Sequence, residues 1–304
     1  MTLSRIVSIF LLLVVGYIAR KRKVLDADSI RSISDFVLSI ALPFTIISSF
    51  DRSIPLTAAK DLLKVALYAI GIHLIAILVA KISFSHVADS KRKILTYITV
   101  FSNCGFMGFP VAESVFGRIG LMYASVYVMI FNIFVWTYGV ALLSGDGGGK
   151  KGLFRVKDII FNPGNVAVIL GCVIWLLPFS LPETINYAIL LIGNCTTPLS
   201  MIVVGATLAG LSIKGLFSRT EVWIGSLMRL LIMPMIIFFI MRIFKENDAS
   251  ARVANFLVAM PAAAQTVIFA ERYDADVSLA SGIVFISTVF SAITIPLAAK
   301  IISA

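Results

Sequence analysis

Apolar residues run along this chain in blocks of about twenty, each closed by a short polar or charged loop. At 1.5 Å per residue, such a block crosses the roughly 30 Å of hydrocarbon in a bilayer. The pattern predicts ten helices, over about 3–19, 30–50, 62–82, 94–116, 121–143, 165–177, 184–211, 221–244, 251–270 and 277–302. The period-two alternation of a membrane β-barrel is not found. The expected fold is an all-α membrane protein with ten transmembrane helices.

Two of the blocks are interrupted. The fourth contains FSNCGFMGFPVAESVFG from Phe101 to Gly117, with Asn103, Gly105, Gly108 and Pro110 within eight positions. Pro110 has no amide hydrogen, so the carbonyl one turn earlier, at Phe106, loses its partner. Gly105 and Gly108 favour unwinding there and admit another backbone. The ninth block breaks at Met260-Pro261 in VAMPAAAQTVIFAERY. Freed backbone groups in hydrocarbon are costly unless protein or a water-filled cavity satisfies them. A broken membrane helix therefore marks a solute site. The competing explanation is a packing kink, because proline and glycine are common in membrane helices.

The only clear linker, residues 144–158, carries Gly145-Asp146-Gly147-Gly148-Gly149 and then Lys150 and Lys151. It divides the chain into a first repeat, 1–143, and a second, 159–304, of five helices each. Pro43 and Pro198 lie 155 positions apart, each in the second helix of its half. An offset of 153 sets Met107-Gly108 on Met260-Pro261. With an odd number of helices per half, the second half enters the membrane inverted, as in secondary transporters.

Composition agrees: 59% of residues are hydrophobic, 14% are charged and the mean hydropathy is +1.00, where a soluble chain is about one-quarter charged. The net charge of +10 does not point to nucleic acid, because the basic residues occupy short loops and form no face alternating with aromatics. They report topology instead. The loops after the odd-numbered helices hold 16 Lys and Arg, the opposite face holds 9, and Arg229 lies within a block. That bias puts the Arg20–Lys23 loop and the glycine linker in the cytoplasm and both termini outside, in a multi-pass protein of the cell membrane. The first block lacks a basic leader and a small-residue cleavage site, so it reads as a retained helix. Cys104, Cys172 and Cys195 are isolated, with neither disulfide nor metal spacing. No phosphate loop, HExxH, paired-Asp motif or Ser–His constellation is present, so neither an enzyme nor a cofactor is indicated.

A few polar residues remain as candidates for chemistry. Asn103, beside the first break, both donates and accepts, so it can hold a carboxylate without placing a charge in lipid. A helix–helix hydrogen bond is its other reading. Gln265 follows Pro261 by one turn. If the ninth helix restarts there, its freed amides suit an anion. Gln265 bonding across to a neighbouring helix is the alternative. Arg229 lies roughly 12 Å into the eighth helix; it is either a counter-charge for an anionic solute or an arginine that snorkels to the surface. Glu113 and Glu271 follow the two breaks and, if half-buried, are candidates for proton coupling. His73, in the third helix, titrates near neutrality and is a further candidate, though a lone helical His also serves structure.

The motifs SNCGFMGFP at Ser102–Pro110, MPAAAQTVIFAERYDAD at Met260–Asp276, ALPF at Ala41–Phe44 and TTPLSMIVVGATLAG at Thr196–Gly210 resemble, in order and along essentially the whole chain, the auxin efflux carrier family. That family includes the plant auxin exporters and bacterial malate permeases; the long cytoplasmic loop of many plant members is absent here. The resemblance implies ten helices in two inverted five-helix repeats, similar to bile-acid and sodium–proton transporters, with helices 4 and 9 unwound and crossed. It implies a scaffold of helices 1, 2, 6 and 7, often dimeric, and a moving domain of helices 3–5 and 8–10. Asn103, Gly105, Gly108 and Pro110, with Pro261 and Gln265, would line the site for a small organic anion such as auxin or a dicarboxylate. A sodium-coupled symporter and a membrane sensor that binds without transporting are the alternatives.

Overall fold

The computed structural model describes residues 2–50, 54–144, 160–177, 181–211 and 215–303. The glycine linker expected at 144–158 lies, beyond Ser144, outside them. Among the described residues the chain is helical throughout, with no strand and one isolated antiparallel bridge, Ser102 with Ala262. Six helical runs are long and apolar enough to cross a membrane: Ala27–Ser49, Leu56–Ser83, Gly108–Ser144, Glu183–Gly210, Thr220–Ile243 and Val277–Ile302. The chain is thus a multi-pass membrane protein. It forms two compact units.

The first unit comprises Met1–Ala66, Gly105–Met129 and Val156–Gly210. It contains α1 (Thr2–Lys21), α2 (Ala27–Phe36) and α3 (Leu42–Ser49). A π-helical turn, Val37–Ala41, joins α2 to α3. Pro43 sits at the start of α3, where its missing amide costs least, and the wider turn re-lays the chain without severing it. Thr45 Oγ1 meets the Gly193 carbonyl at 2.7 Å and Thr196 Oγ1 at 2.7 Å. It thereby serves the ends of two further helices, α9 (Glu183–Gly193) and α10 (Thr196–Gly210), which are separated by two residues. Glycine sets the closest approaches in this unit. A Cβ on Gly16 would lie 2.1 Å from the Ile202 carbonyl oxygen, and one on Gly205 would lie 1.9 Å from that of Leu13, so α1 and α10 touch backbone to backbone. In α8 (Pro163–Leu176), Gly171 makes room for the Phe50 ring, and Trp175 Nε1 donates to the Ile54 carbonyl at 3.0 Å.

α6 (Gly108–Phe134) bends sharply at Gly117, whose φ of 67° and ψ of −155° are open essentially to glycine alone. The sequence places its fourth and fifth helices on either side of this point, so that boundary is a kink inside one continuous run. Pro110 is the third residue of α6, where an amide has no helical partner in any case. Proline therefore starts this helix. The interruption expected at Pro110 lies earlier, over the seven residues 101–107.

The second unit comprises Leu67–Cys104, Ile130–Arg155 and Leu211–Ala304. It contains most of α4 (Ala59–Ser83), then α5 (Asp89–Val100), α7 (Val140–Ser144), α11 (Thr220–Leu227), α12 (Met233–Ile243), α13 (Ala249–Val258), α14 (Gln265–Arg272) and α15 (Val277–Ser303). Asp276 opens α15. Its carboxylate accepts the Leu279 amide at 2.8 Å and binds both Arg219 nitrogens, at 2.6 and 3.2 Å. Burial alone would raise the Asp276 carboxyl, but the Arg219 guanidinium and that amide outweigh it and hold it below the usual carboxylate range. A carboxyl depressed on folding adds stability that is complete above its unfolded value and is lost as pH falls through the folded one. Asp276→Ala is therefore expected to lower stability by about 1–2 kcal/mol at pH 7. The gap to the parent should narrow as pH falls below the ordinary carboxylate value of about 3.9, as read from thermal unfolding across pH. A gap that stays constant through the acid range would mean the carboxylate charge contributes nothing.

Candidate functional site

The two interrupted helices meet in the second unit through their backbones. Asn103 N donates to the Pro261 carbonyl at 2.7 Å, and Ala263 N donates to the Phe101 carbonyl at 3.3 Å. Two extended segments, each closing a short helix, thus run antiparallel for about one residue pair. Side chains satisfy what the crossing leaves over. Ser102 Oγ donates to the Leu257 carbonyl at 3.0 Å, and Ser287 Oγ of α15 accepts the Ala262 amide at 3.2 Å. Such pairing is what extended backbone at membrane depth requires.

α5 and α13 both end at the crossing, each with its C-terminal carbonyls there. Each helix end carries roughly half an elementary negative charge, so the pair amounts to about one. Arg229 answers it. Its side chain is 2% exposed, Nη1 donates to the Thr99 carbonyl at 2.8 Å and Nη2 to the Val258 carbonyl. One guanidinium thus caps the last turn of both helices, a task that its planar fork suits. Arg229 lies in a π-helical turn, Met228–Ile232, between α11 and α12. Of the two sequence readings of Arg229, snorkelling does not fit, because the side chain is buried and bonded within the protein. As a counter-charge it faces backbone carbonyls of the protein itself.

Around the crossing, several polar atoms are buried without a protein hydrogen-bond partner: Asn103 Nδ2, the Tyr97 hydroxyl, Gln265 Nε2 and Thr266 Oγ1. Asn103 is 4% exposed. Tyr97 and Gln265 are neighbours, yet their polar atoms do not reach bonding geometry. Each such group costs about 1–3 kcal/mol if it stays unpaired. α14 restarts at Gln265, the point expected from the sequence. Aromatic rings wall this region: Tyr97 lies 4.6 Å from Phe101 and 5.9 Å from Phe269, and Trp136 lies 5.9 Å from Phe269.

The other sequence candidates lie differently. Gly105 falls in the turn before α6 and Gly108 is its first residue. Pro261 is in the extended segment, its carbonyl engaged by Asn103. His73 is buried among Phe101, Phe131 and Phe134, stacked on the last at 4.7 Å, with Nδ1 2.6 Å from the Ala69 carbonyl. Glu113 is half-buried in the first unit, beside a polar cleft of about 200 Å³ shared with Thr45, Ser48, Arg118 and Thr197. Glu271 is exposed at the end of α14, so the condition of half-burial is met at Glu113 and not here. Tyr97, Thr266 and Ser287 escape sequence reading, because a lone hydroxyl in an apolar helix resembles any other.

Comparison with known proteins finds similarity to membrane transporters. The family model described as "Membrane transport protein" matches residues 1–299. An uncharacterized transporter of Methanocaldococcus jannaschii is 26% identical over 302 residues, covering 95% of each chain. An uncharacterized transporter of Methanothermobacter thermautotrophicus is 28% identical over 297 residues, covering 96% of this chain and 95% of its own.

Proposed function

The chain belongs to the auxin efflux carrier family of membrane transport proteins, and from that premise we propose that it is a secondary carrier for a small organic anion, working by alternating access. The observation that carries this reading is the crossing itself. Two helices end there and their partners restart nearby, and Asn103 Nδ2 and Gln265 Nε2 are buried donors with no protein acceptor. A carboxylate supplies acceptors to both. The amides that open α14 add a partial positive charge.

Inverted repeats are part of the proposal, and the packing of the first unit supports them. Gly16 and Gly171 stand 155 positions apart, as do Phe50 and Gly205, and Pro43 and Pro198. The tight α1–α10 contact at Gly16 and Gly205 is thereby matched by the contact of Phe50 with Gly171. The elevator motion is proposed because the helices divide into two compact units. We place the termini outside the cell from the loop charges.

Between sodium-coupled and sodium-independent transport, Arg229 favours the second. Paired helix C-termini are where a transported cation is coordinated in broken-helix carriers, and here a fixed guanidinium occupies the carbonyls. The test is a thermal-shift screen of mono- and dicarboxylates in sodium and in choline buffers, followed by uptake of the hits into proteoliposomes. At least one acid is expected to raise the unfolding temperature saturably in either buffer and to be taken up. Asn103→Ala should cut that uptake at least about tenfold while leaving unfolding within a few degrees of the parent. Binding without flux would make the protein a sensor. Undiminished uptake by Asn103→Ala would remove that residue from the site.

A further inference from the structure

A second cavity in the second unit is lined by residues that belong to none of the sequence motifs. It measures about 430 Å³, within the ~300–1,000 Å³ typical of small-molecule sites. Arg242, Lys245 and Arg252 line one part of it, and Phe238, Met241 and Ile301 line another. It is therefore both cationic and apolar.

The carboxylates around it are already engaged. Glu246 accepts the Tyr68 hydroxyl at 2.6 Å. Asp248 caps α13 through the Ala251 amide at 2.9 Å and also takes the Ser250 hydroxyl. Among the described residues, none of the three cations forms an ion pair. Two further atoms in the lining are buried without a protein partner: Arg252 Nε, a donor, and Asn255 Oδ1, an acceptor, on a side chain 3% exposed. A buried donor and a buried acceptor facing one space, both unmet, call for a ligand that brings an anionic oxygen together with a hydroxyl or ammonium hydrogen.

Position narrows the source. The cavity opens where α12 ends, at the boundary of the membrane run Thr220–Ile243. Ile243 and Phe244 beside it are about three-quarters exposed, at 74% and 73%, as suits side chains at the lipid boundary. We propose that this cavity binds the head of an anionic phospholipid that also carries hydroxyl groups. The phosphate lies against Arg242, Lys245 and Arg252, a head-group hydroxyl donates to Asn255 Oδ1, and an acyl chain runs along Phe238, Met241 and Ile301. Clustered basic residues at a helix end are a recognised electrostatic means of holding such lipids.

The test uses the full chain, delipidated in neutral detergent. Phosphatidylglycerol, phosphatidylcholine and soluble glycerol phosphate are titrated separately, with unfolding temperature and native mass spectrometry as readouts. Phosphatidylglycerol is expected to bind at one per chain and raise the unfolding temperature saturably, with phosphatidylcholine binding at least about tenfold more weakly. Arg252→Gln should lose that preference. Arg242→Gln with Lys245→Gln, at two exposed positions, should weaken binding by a similar factor and keeps the question answerable if Arg252→Gln fails to fold. Equal binding of the two lipids, or an unchanged preference in the double variant, overturns the proposal. Glycerol phosphate binding as tightly as the lipid overturns its lipid source and marks the cavity as a site for a soluble anion.

Discussion

Arg229→Ala is expected to be among the most destabilising single substitutions in this protein, by about 3–6 kcal/mol. The figure follows from two charge-assisted hydrogen bonds, to the Thr99 and Val258 carbonyls, each contributing roughly 1.5–3 kcal/mol. The loss approaches the whole stability of an ordinary domain, about 5–15 kcal/mol. Alanine would leave two helix C-termini facing one another in a buried space with nothing between their like partial charges. Arg229→Lys retains the charge but not the fork, so it should recover part of the loss. Arg229→Gln retains donors without the charge and should recover less. The order parent, Lys, Gln, Ala in unfolding temperature checks the argument. An alanine variant as stable as the parent would mean that the crossing does not depend on this cation.

Gly205→Ala should rival it through steric overlap alone. The added methyl would sit 1.9 Å from the Leu13 carbonyl oxygen, where ordinary contact begins near 3.4 Å. The obstacle is backbone, which cannot rotate aside, so α1 would have to withdraw by roughly 1.5 Å along its contact with α10. Overpacking a core typically costs about 1–3 kcal/mol even where side chains can yield, and here they cannot. Gly71→Ala is the matched control. Its Cβ meets nothing within 4 Å, and Gly71 lies within α4. An alanine there should be neutral or stabilising, by up to about 1 kcal/mol. If both alanines shift the unfolding temperature alike, α1 and α10 do not meet backbone to backbone at Gly205.

The contrast between Pro110 and Pro261 shows how far local reading reaches. Both are correctly associated with interrupted helices, because a missing amide is a property of the residue itself. Their roles differ all the same. Pro261 lies in the extended segment and lends its carbonyl to Asn103, whereas Pro110 sits in the first turn of a new helix. The choice depends on where the flanking turn closes. Here Phe109 bonds to Gly105 and Val111 to Met107, a matter of a few backbone hydrogen bonds that composition does not encode. Gly117 is the converse case. One residue with a positive φ divides a run of 37 residues, and glycine in that position could be read as a boundary from the sequence alone.

The candidate site divides in the same way. Asn103 and Gln265 stand out because an amide in an apolar block is rare and expensive. Tyr97, Thr266 and Ser287 do not stand out, since hydroxyls are common in such helices and most return their hydrogen to a carbonyl of their own turn. Whether Glu271 is half-buried or solvated could not be read locally, because it lies at the edge of its apolar block; the structure leaves it exposed one residue before α14 ends.

Hydropathy, summed over windows of about twenty residues, determined that this chain lives in a membrane and is helical, and its prolines and glycines showed roughly where the helices are interrupted. Those conclusions depend on the transfer of side chains and unpaired amides between water and hydrocarbon, a cost each segment meets independently of its neighbours. Tertiary structure decided how the interruptions are satisfied: which carbonyl faces which amide, and that the buried Arg229 closes two helix ends from a third segment. A contact between Arg229 and both Thr99 and Val258 joins residues 130 and 29 positions apart. No local pattern carries it, because its energy exists only once all three segments have packed.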